Sequence, residues 1–195
     1  MAIGSNAPGH YGVAESGIVL GEKKLFAAYN LQGDPSRAGF MDQAKRAWSV
    51  ALPLAPNTTA RAPKSIAFWL GPTSWLLVRD ASASAVDFDA ARNALNAAGG
   101  AMFDVSASRV AFSVSGAAAV SVLGTLCPLD FHVRAFNVGT CAQSLLGPIG
   151  TLFHRNGKSE WALLVPRSYA RDAWRSLCVA AMPHGYEVTP PAPFA

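Results

Sequence analysis

Three polar side chains crowd one short stretch, Asp130, His132 and Arg134, and Gln143 follows nine residues later. A carboxylate, an imidazole and a guanidinium this close could hold an anion, move a proton or meet a partner. Cys127 precedes His132 by five residues, and Cys141 follows it by nine. A thiol beside an imidazole can act as nucleophile and base. Cys, His and Cys can also begin a zinc site. Each of these readings lacks a part. Structural zinc takes four ligands in close pairs, whereas His154 and His184 are remote from Cys127. Cys127 ends an apolar run just before Pro128, where a thiol packs as a small hydrophobe. The chain carries neither a G-x-S-x-G elbow nor the glycine patterns that cradle dinucleotides and phosphates. The polar cluster therefore reads as a satisfied loop. Asp130 is expected to accept backbone N–H groups and to pair with Arg134. Arg167 and Arg171 open a later helix and read either as a solvated face or as contacts for a partner's carboxylates. Tryptophans 48, 69, 75, 161 and 174 could stack a flavin or pterin, but each falls on an apolar face and is assigned to the core.

Composition favours a chain that is covered by something else. Of 195 residues, 51% are hydrophobic and 14% charged, against roughly 25% charged in an ordinary soluble domain. From Asp104 to Gly150 only Asp104, Arg109, Asp130 and Arg134 carry charge. A monomer with so little charged surface tends to associate, and an obligate subunit hides that surface. The net charge is +4, yet no basic run exceeds the pair Lys23–Lys24. Nucleic-acid binders concentrate their cations, so nucleic acid is set aside. Residues 1–11 lack the basic start and apolar core of a secretory signal. The uncharged windows 110–129 and 135–153 are broken by Ser, Gly and Pro, so no membrane span is expected. Three widely spaced cysteines, Cys127, Cys141 and Cys178, make no disulfide framework, and a reducing cytoplasm is the simple expectation.

The elements that must position these residues follow from periodicity and turn signals. Residues 24–31 read as a first strand. Ser36 is expected to cap a helix with Phe40, Met41, Ala44, Ala47 and Trp48 on one face. After a proline-bounded connector come strands over 66–70 and 75–78. A helix then starts at Asp87 or Asp89 and stops at Gly99-Gly100. The second half repeats this order. It has a strand over 109–114 and a helix over 117–126 with Val120, Leu123, Leu126 and Cys127 inward. Strands over 141–146, 149–154 and 161–165 follow, then a last helix with Trp174, Leu177, Cys178 and Ala181 inward. Trp75 and Trp161 are 86 residues apart, and Leu25 and Val110 are 85 apart. Such nearly equal offsets point to a duplicated strand-helix-strand-strand-helix unit. The expected fold class is α+β, a two-layer sandwich. The expected organisation is an N-terminal arm over 1–22, a first α+β half over 23–100 and a second over 101–195, sharing one compact domain.

Five segments together resemble a known family: LPLAPNTTARAPKSIAFWLGPTSWLLV, DVSASRVAFSVSG, CPLDFHVRAF, GTCAQSLL and WALLVPRSYARDAW. They stand in the order found in the gamma subunit of heterotetrameric sarcosine oxidase and cover roughly residues 47 to 178. Thr73-Ser74, Ala107 and Val133 depart from the family pattern in turns. The resemblance implies a non-catalytic structural subunit of a flavoenzyme whose partners are the alpha, beta and delta subunits. That complex oxidatively demethylates sarcosine to glycine, with tetrahydrofolate as one-carbon acceptor and oxygen reduced to hydrogen peroxide. FAD, FMN, NAD, zinc and tetrahydrofolate belong to the other subunits in the family. The resemblance also implies a fold similar to the folate-binding domain of aminomethyltransferase. It brings no catalytic, cofactor or metal residue onto this chain. Asp130, His132, Arg134, Arg167 and Arg171 stay as the expected partner contacts. Two alternatives stand beside it. One is a folate-binding, aminomethyltransferase-like protein acting alone, with Asp104 or Asp130 as its pterin-facing carboxylate. The other is a subunit of an oxidase for a different N-methyl amine.

Overall fold

The computed structural model describes residues 6–12, 15–80 and 87–194. Among them the chain forms twelve strands and four α-helices. In order these are β1 (Gly9–Tyr11), β2 (Ile18–Lys24), β3 (Ala27–Gln32), α1 (Ala38–Trp48), β4 (Thr59–Ala62), β5 (Ser65–Gly71), β6 (Ser74–Arg79), α2 (Phe88–Ala97), β7 (Ala101–Asp104), β8 (Arg109–Ser115), α3 (Ala119–Leu126), β9 (Cys141–Leu146), β10 (Ile149–Gly157), β11 (Glu160–Pro166), α4 (Ala170–Ala181) and β12 (Tyr186–Pro193). They divide into two compact units.

One unit is Leu25–Ala107 with the last residues of the chain. Its sheet runs β4-β5-β6-β3-β7, and each neighbouring pair is antiparallel. Tyr29, Leu31, Ala67, Trp75, Leu77 and Met102 point from the sheet into a core closed by Phe40, Ala44 and Trp48 of α1 and Leu95 of α2. Helix α1 forms because Phe40, Ala44 and Trp48 recur at four-residue spacing, which stripes one face. The expected Ser36 cap is not made. Ser36 instead donates its N–H and its hydroxyl to the Asp34 carboxylate, and Arg37 occupies the cap position. That pair of hydrogen bonds holds the Asp34 carboxyl below its usual range. Asp87 does cap α2, accepting the Ala90 N–H at 3.0 Å. Gly99 ends α2 with φ +81°, a left-handed conformation that suits glycine.

The other unit joins the residues through Lys24 to Ser108–Ala192. Its sheet runs β1-β12-β2-β8-β11-β10-β9. Val110, Phe112, Val114, Phe153, Trp161, Leu163 and Val165 meet α3 and α4 in a second core. Helix α4 buries Ala173, Trp174, Leu177, Cys178 and Ala181, the face expected from spacing. Helix α3 turns Leu123, Leu126 and Cys127 toward the core as expected, but it buries Ala119 and Val122 and leaves Val120 exposed. With no charged residue on α3, nothing in its sequence marks the solvent side. Gly116 stands where β8 gives way to α3 at φ +119°. A Cβ there would lie 2.3 Å from the Gly17 carbonyl oxygen, so this close backbone approach requires glycine.

The duplication is real, and longer than the expected unit. In each copy a strand and a helix precede a three-strand meander and a second helix. The sheets share the order meander, then first strand: β4-β5-β6-β3 in one and β9-β10-β11-β8 in the other. Trp75 and Trp161 are each the second residue of the last meander strand and lie opposite Leu31 and Val114. The matching first-strand residues are thus Leu31 and Val114, not Leu25 and Val110. The predicted strand over 24–31 is two strands, β2 and β3, which pair in different sheets. Residues 18–22 were expected in an arm. They instead sit inside the larger sheet as β2, with Ile18 and Leu20 wholly buried. Residues 1–5, 13 and 14 of the expected arm lie outside the described residues. β7 pairs with β3, which moves the boundary between the units from 100/101 to 107/108. The central strands are buried on both faces. For this reason IAFWL, WLLV and WALLV read as unbroken apolar runs rather than as alternation.

Tyr186 closes the larger core. Its ring stacks on Tyr11 at 5.2 Å, and its hydroxyl accepts a hydrogen bond from the Asn6 side-chain amide at 3.1 Å. Burial first, then the Cys178 thiol beside it, pushes the hydroxyl up to about 12. The folded state therefore favours the neutral phenol. Stability from this group is present below its ordinary pKa of about 10 and is lost as pH rises through about 12. Tyr186→Phe should remove that alkaline component. Urea midpoints from about pH 9 to about pH 12 should fall less steeply for the variant. Parallel curves for the two proteins would contradict this.

Candidate partner interface

The loop between α3 and β9 is held by two aromatic plugs. Phe131 and Phe136 are buried, and the four residues between them are exposed. Phe131 meets Trp161 edge-on at 5.0 Å and Phe153 at 5.4 Å, and it stacks on Phe136 at 6.1 Å. Phe136 meets Trp161 edge-on at 4.9 Å. These are the arrangements that aromatic quadrupoles favour.

Arg155 fastens the same loop from β10. It is 3% exposed. Its Nη1 donates to the Phe136 carbonyl at 2.6 Å, Nε donates to the Gly157 carbonyl at 3.2 Å, and Nη2 donates to the Lys158 carbonyl. Its guanidinium lies 5.1 Å over the Trp161 ring. Its backbone accepts from Gly139 N–H at 2.8 Å and donates to the Thr140 carbonyl at 3.1 Å. Three backbone carbonyls, not a carboxylate, satisfy this buried cation. Sequence reading passed over Arg155. The available signal was a cation near a strand end, between Phe153-His154 and the Asn156-Gly157 pair that precedes the turn at residues 158–159.

On this support stand Asp130, His132 and Arg134, all exposed. Asp130 accepts the His132 N–H at 2.8 Å, as expected of a turn carboxylate. The His132 Nδ1 accepts the Arg134 N–H at 3.3 Å. The expected Asp130–Arg134 ion pair is not formed among the described residues. The Asp130 carboxylate is turned onto the backbone. The Ala135 and Phe136 N–H groups close a tight turn on the His132 carbonyl and carry Arg134 outward. Val133 and Val138 are about half exposed on the same loop.

Arg167 and Arg171 lie elsewhere. Arg167 follows the end of β11 and donates to the Arg109 carbonyl at 3.4 Å; Arg171 opens α4. Trp161, under the loop, is at the other end of β11. The two groups are therefore about 20 Å apart along the strand. The five residues form two separate surfaces, not one site.

The residues considered for chemistry are dispersed. Cys127 is buried at the end of α3, whereas His132 points from the exposed loop. Cys141 and Cys178 are buried, and burial pushes the Cys178 thiol up. Among the described residues no group of three His, Cys, Asp or Glu gathers to hold a metal. Asp104 is exposed and accepts both the N–H and the hydroxyl of Ser106. It faces a turn, not a pocket. Trp48, Trp75, Trp161 and Trp174 are core residues, as expected. Trp69 is not: it is half-buried and lines an open apolar groove with Pro35, Leu54, Pro56 and Pro72.

A basic cavity of about 120 Å³ escaped the sequence reading. Arg61 and Lys64 reach it from the β4–β5 hairpin, and Arg79 and Asp80 from the end of β6. Arg79 is 8% exposed and lies 5.4 Å over the Trp48 ring. Burial lowers its guanidinium, and the Tyr29 hydroxyl opposes that shift. Residues 61, 64 and 79 are brought together only by the β4–β5–β6 register, which no local pattern reveals.

Comparison with known proteins places this framework in a family. The sarcosine oxidase gamma subunit family matches residues 32–182. The sarcosine oxidase subunit gamma of an Arthrobacter species is 32% identical over 160 residues, covering 81% of this chain and 76% of the relative. That of Corynebacterium sp. strain P-1 is 34% identical over 154 residues, covering 78% and 74%. A chain of the heterotetrameric sarcosine oxidase from Corynebacterium sp. U-96, solved with pyrrole 2-carboxylate, superposes with TM-score 0.76 at 26% identity, covering 89% of this chain and 88% of that one. The glycine cleavage aminomethyltransferase T of Bartonella henselae shares the fold at TM-score 0.58 and 13% identity, covering 91% of this chain and 48% of that one. The two solved structures share the α+β framework, and the match in sequence across both of its halves makes this chain a member of the sarcosine oxidase gamma subunit family.

Proposed function

We propose that this chain is the structural gamma subunit of a heterotetrameric sarcosine oxidase, assembling with alpha, beta and delta subunits. The complex oxidises the N-methyl group of sarcosine. Glycine leaves, tetrahydrofolate takes the carbon as 5,10-methylenetetrahydrofolate, and oxygen becomes hydrogen peroxide. In this reading FAD, FMN, NAD, zinc and tetrahydrofolate sit on the other subunits, and this chain supplies no catalytic residue. The likeness along nearly the whole chain to a subunit of a solved heterotetramer carries the reading. Two features support it. The candidate nucleophiles and metal ligands are buried apart or tied into turns. Polar and apolar side chains meanwhile stand exposed on a rigidly held loop. Three free, buried cysteines suit a cytoplasmic, reducing location, and no helix among the described residues is long and apolar enough to cross a membrane. The stand-alone folate reading has less support, since Asp104 and Asp130 both serve exposed turns.

Omitting this chain from co-expression tests the role. The remaining subunits should lose their common particle on native mass spectrometry, and restoring the chain should bring back sarcosine-dependent peroxide. A fully active three-subunit particle without this chain would refute a structural role.

A further inference from the structure

Helix α4 presents to solvent a stripe that does not suit solvent. Its inner face is filled by Trp174, Leu177, Cys178 and Ala181. Along its outer face Arg171, Arg175, Val179 and Met182 follow one another at helical spacing, all exposed. Val179 is 66% exposed and Met182 46%. A helix face meant for water is polar throughout; this one carries Arg171 and Arg175 beside a single exposed carboxylate, Asp172, at its start and is apolar at its end. Arg171 and Arg175 form no ion pair among the described residues. Arg171 moreover lies in the first turn, and Arg167 just before it. There the helix dipole disfavours cations by about 0.3–1 kcal/mol. The placement of Arg171 does not serve the helix, so it suits an anion from outside. The neighbouring α3 extends the surface: it carries no charge, exposes Val120 and has open space over Gly124.

We infer that the outer face of α4 is a docking surface for another subunit of the oxidase, one that places carboxylates over Arg171 and Arg175 and apolar side chains over Val179 and Met182. This rests on the gamma-subunit reading above. Charge complementarity selects the partner's chemistry. Guanidinium groups hold carboxylates through paired hydrogen bonds, and the exposed Val and Met add apolar area that a salt wash does not remove.

The test uses the full chain and the co-expressed remaining subunits. Arg171→Glu combined with Arg175→Glu should weaken assembly by about tenfold or more, measured by titration at low salt. Val179→Asp should weaken it at low and high salt alike. In the isolated chain, thermal unfolding should be unchanged or slightly improved by Arg171→Glu, because a carboxylate suits the first turn. A purely structural role for these residues would not move stability and assembly in opposite directions. If the wild-type chain fails to join the other subunits, the gamma-subunit reading falls and takes this inference with it. If the wild-type chain assembles and the variants assemble equally well, the gamma-subunit reading stands and the docking face is wrong. Two further results would overturn it by showing a different occupant. One is a homodimer of the isolated chain that the same substitutions abolish. The other is binding to phosphatidylserine vesicles that they abolish.

Discussion

Arg155→Met should cost about 2–4 kcal/mol of folding stability, a large part of the 5–15 kcal/mol that holds an ordinary domain together. The side-chain stem survives in methionine, so packing against Trp161 is largely kept. The three donors are lost. The Phe136 carbonyl would then lie buried beside an apolar group, and the partly exposed Gly157 and Lys158 carbonyls would turn to water. A buried acceptor left without a donor costs about 1–3 kcal/mol; the Phe136 carbonyl bears that loss in full, and the two part-buried carbonyls add the smaller net loss of an ordinary hydrogen bond. Arg155→Lys should recover only part of it, because a point charge cannot reach three carbonyls as a planar fork does. Urea unfolding of the three proteins measures this directly. A loss under about 1 kcal/mol for the methionine variant would mean that water replaces the guanidinium, and that Arg155 does not fasten the loop.

Phe131→Ala should cost a similar amount, about 3–5 kcal/mol, by opening a cavity among Phe136, Phe153 and Trp161. Its consequence is also local. Phe131 is one of two plugs that carry Asp130, His132 and Arg134. Without it, amide exchange over residues 128–140 should quicken more than that of β10 and β11, which keep their ladder. Equal acceleration across the sheet would show that the loop and the strands open as one unit. The effects of Phe131→Ala and Arg155→Met should not add, since both act through Phe136 and Trp161.

Local signals in the sequence were reliable where one face is buried and the other charged. The inward face of α4 was legible because Arg171, Asp172 and Arg175 mark the opposite side. That of α3 was legible only in part: Leu123, Leu126 and Cys127 do face the core, but Val120 does not, because a helix of small uncharged residues gives little contrast. The duplication was visible from Trp75 and Trp161, which occupy the same place in two meanders. Its first strands were misaligned because residues 24–31 run continuously from one sheet into the other, and only distant pairing partners divide them. For the same reason β2 was taken for an arm: its partner β8 lies some ninety residues away. The exposed loop cluster was found from residue type. Arg155, which holds it, was missed because a buried cation satisfied by carbonyls leaves no partner pattern in sequence. The basic cavity was missed because only strand register gathers Arg61, Lys64 and Arg79.

The most direct measurement is affinity capture of the tagged chain from the cell that makes it, followed by a visible spectrum and an assay for peroxide on adding sarcosine. A yellow particle with three further subunits that releases peroxide is the expected result. A colourless chain that comes out alone, or a flavoprotein particle inert to sarcosine, would contradict the assignment of this chain to a sarcosine-oxidising complex.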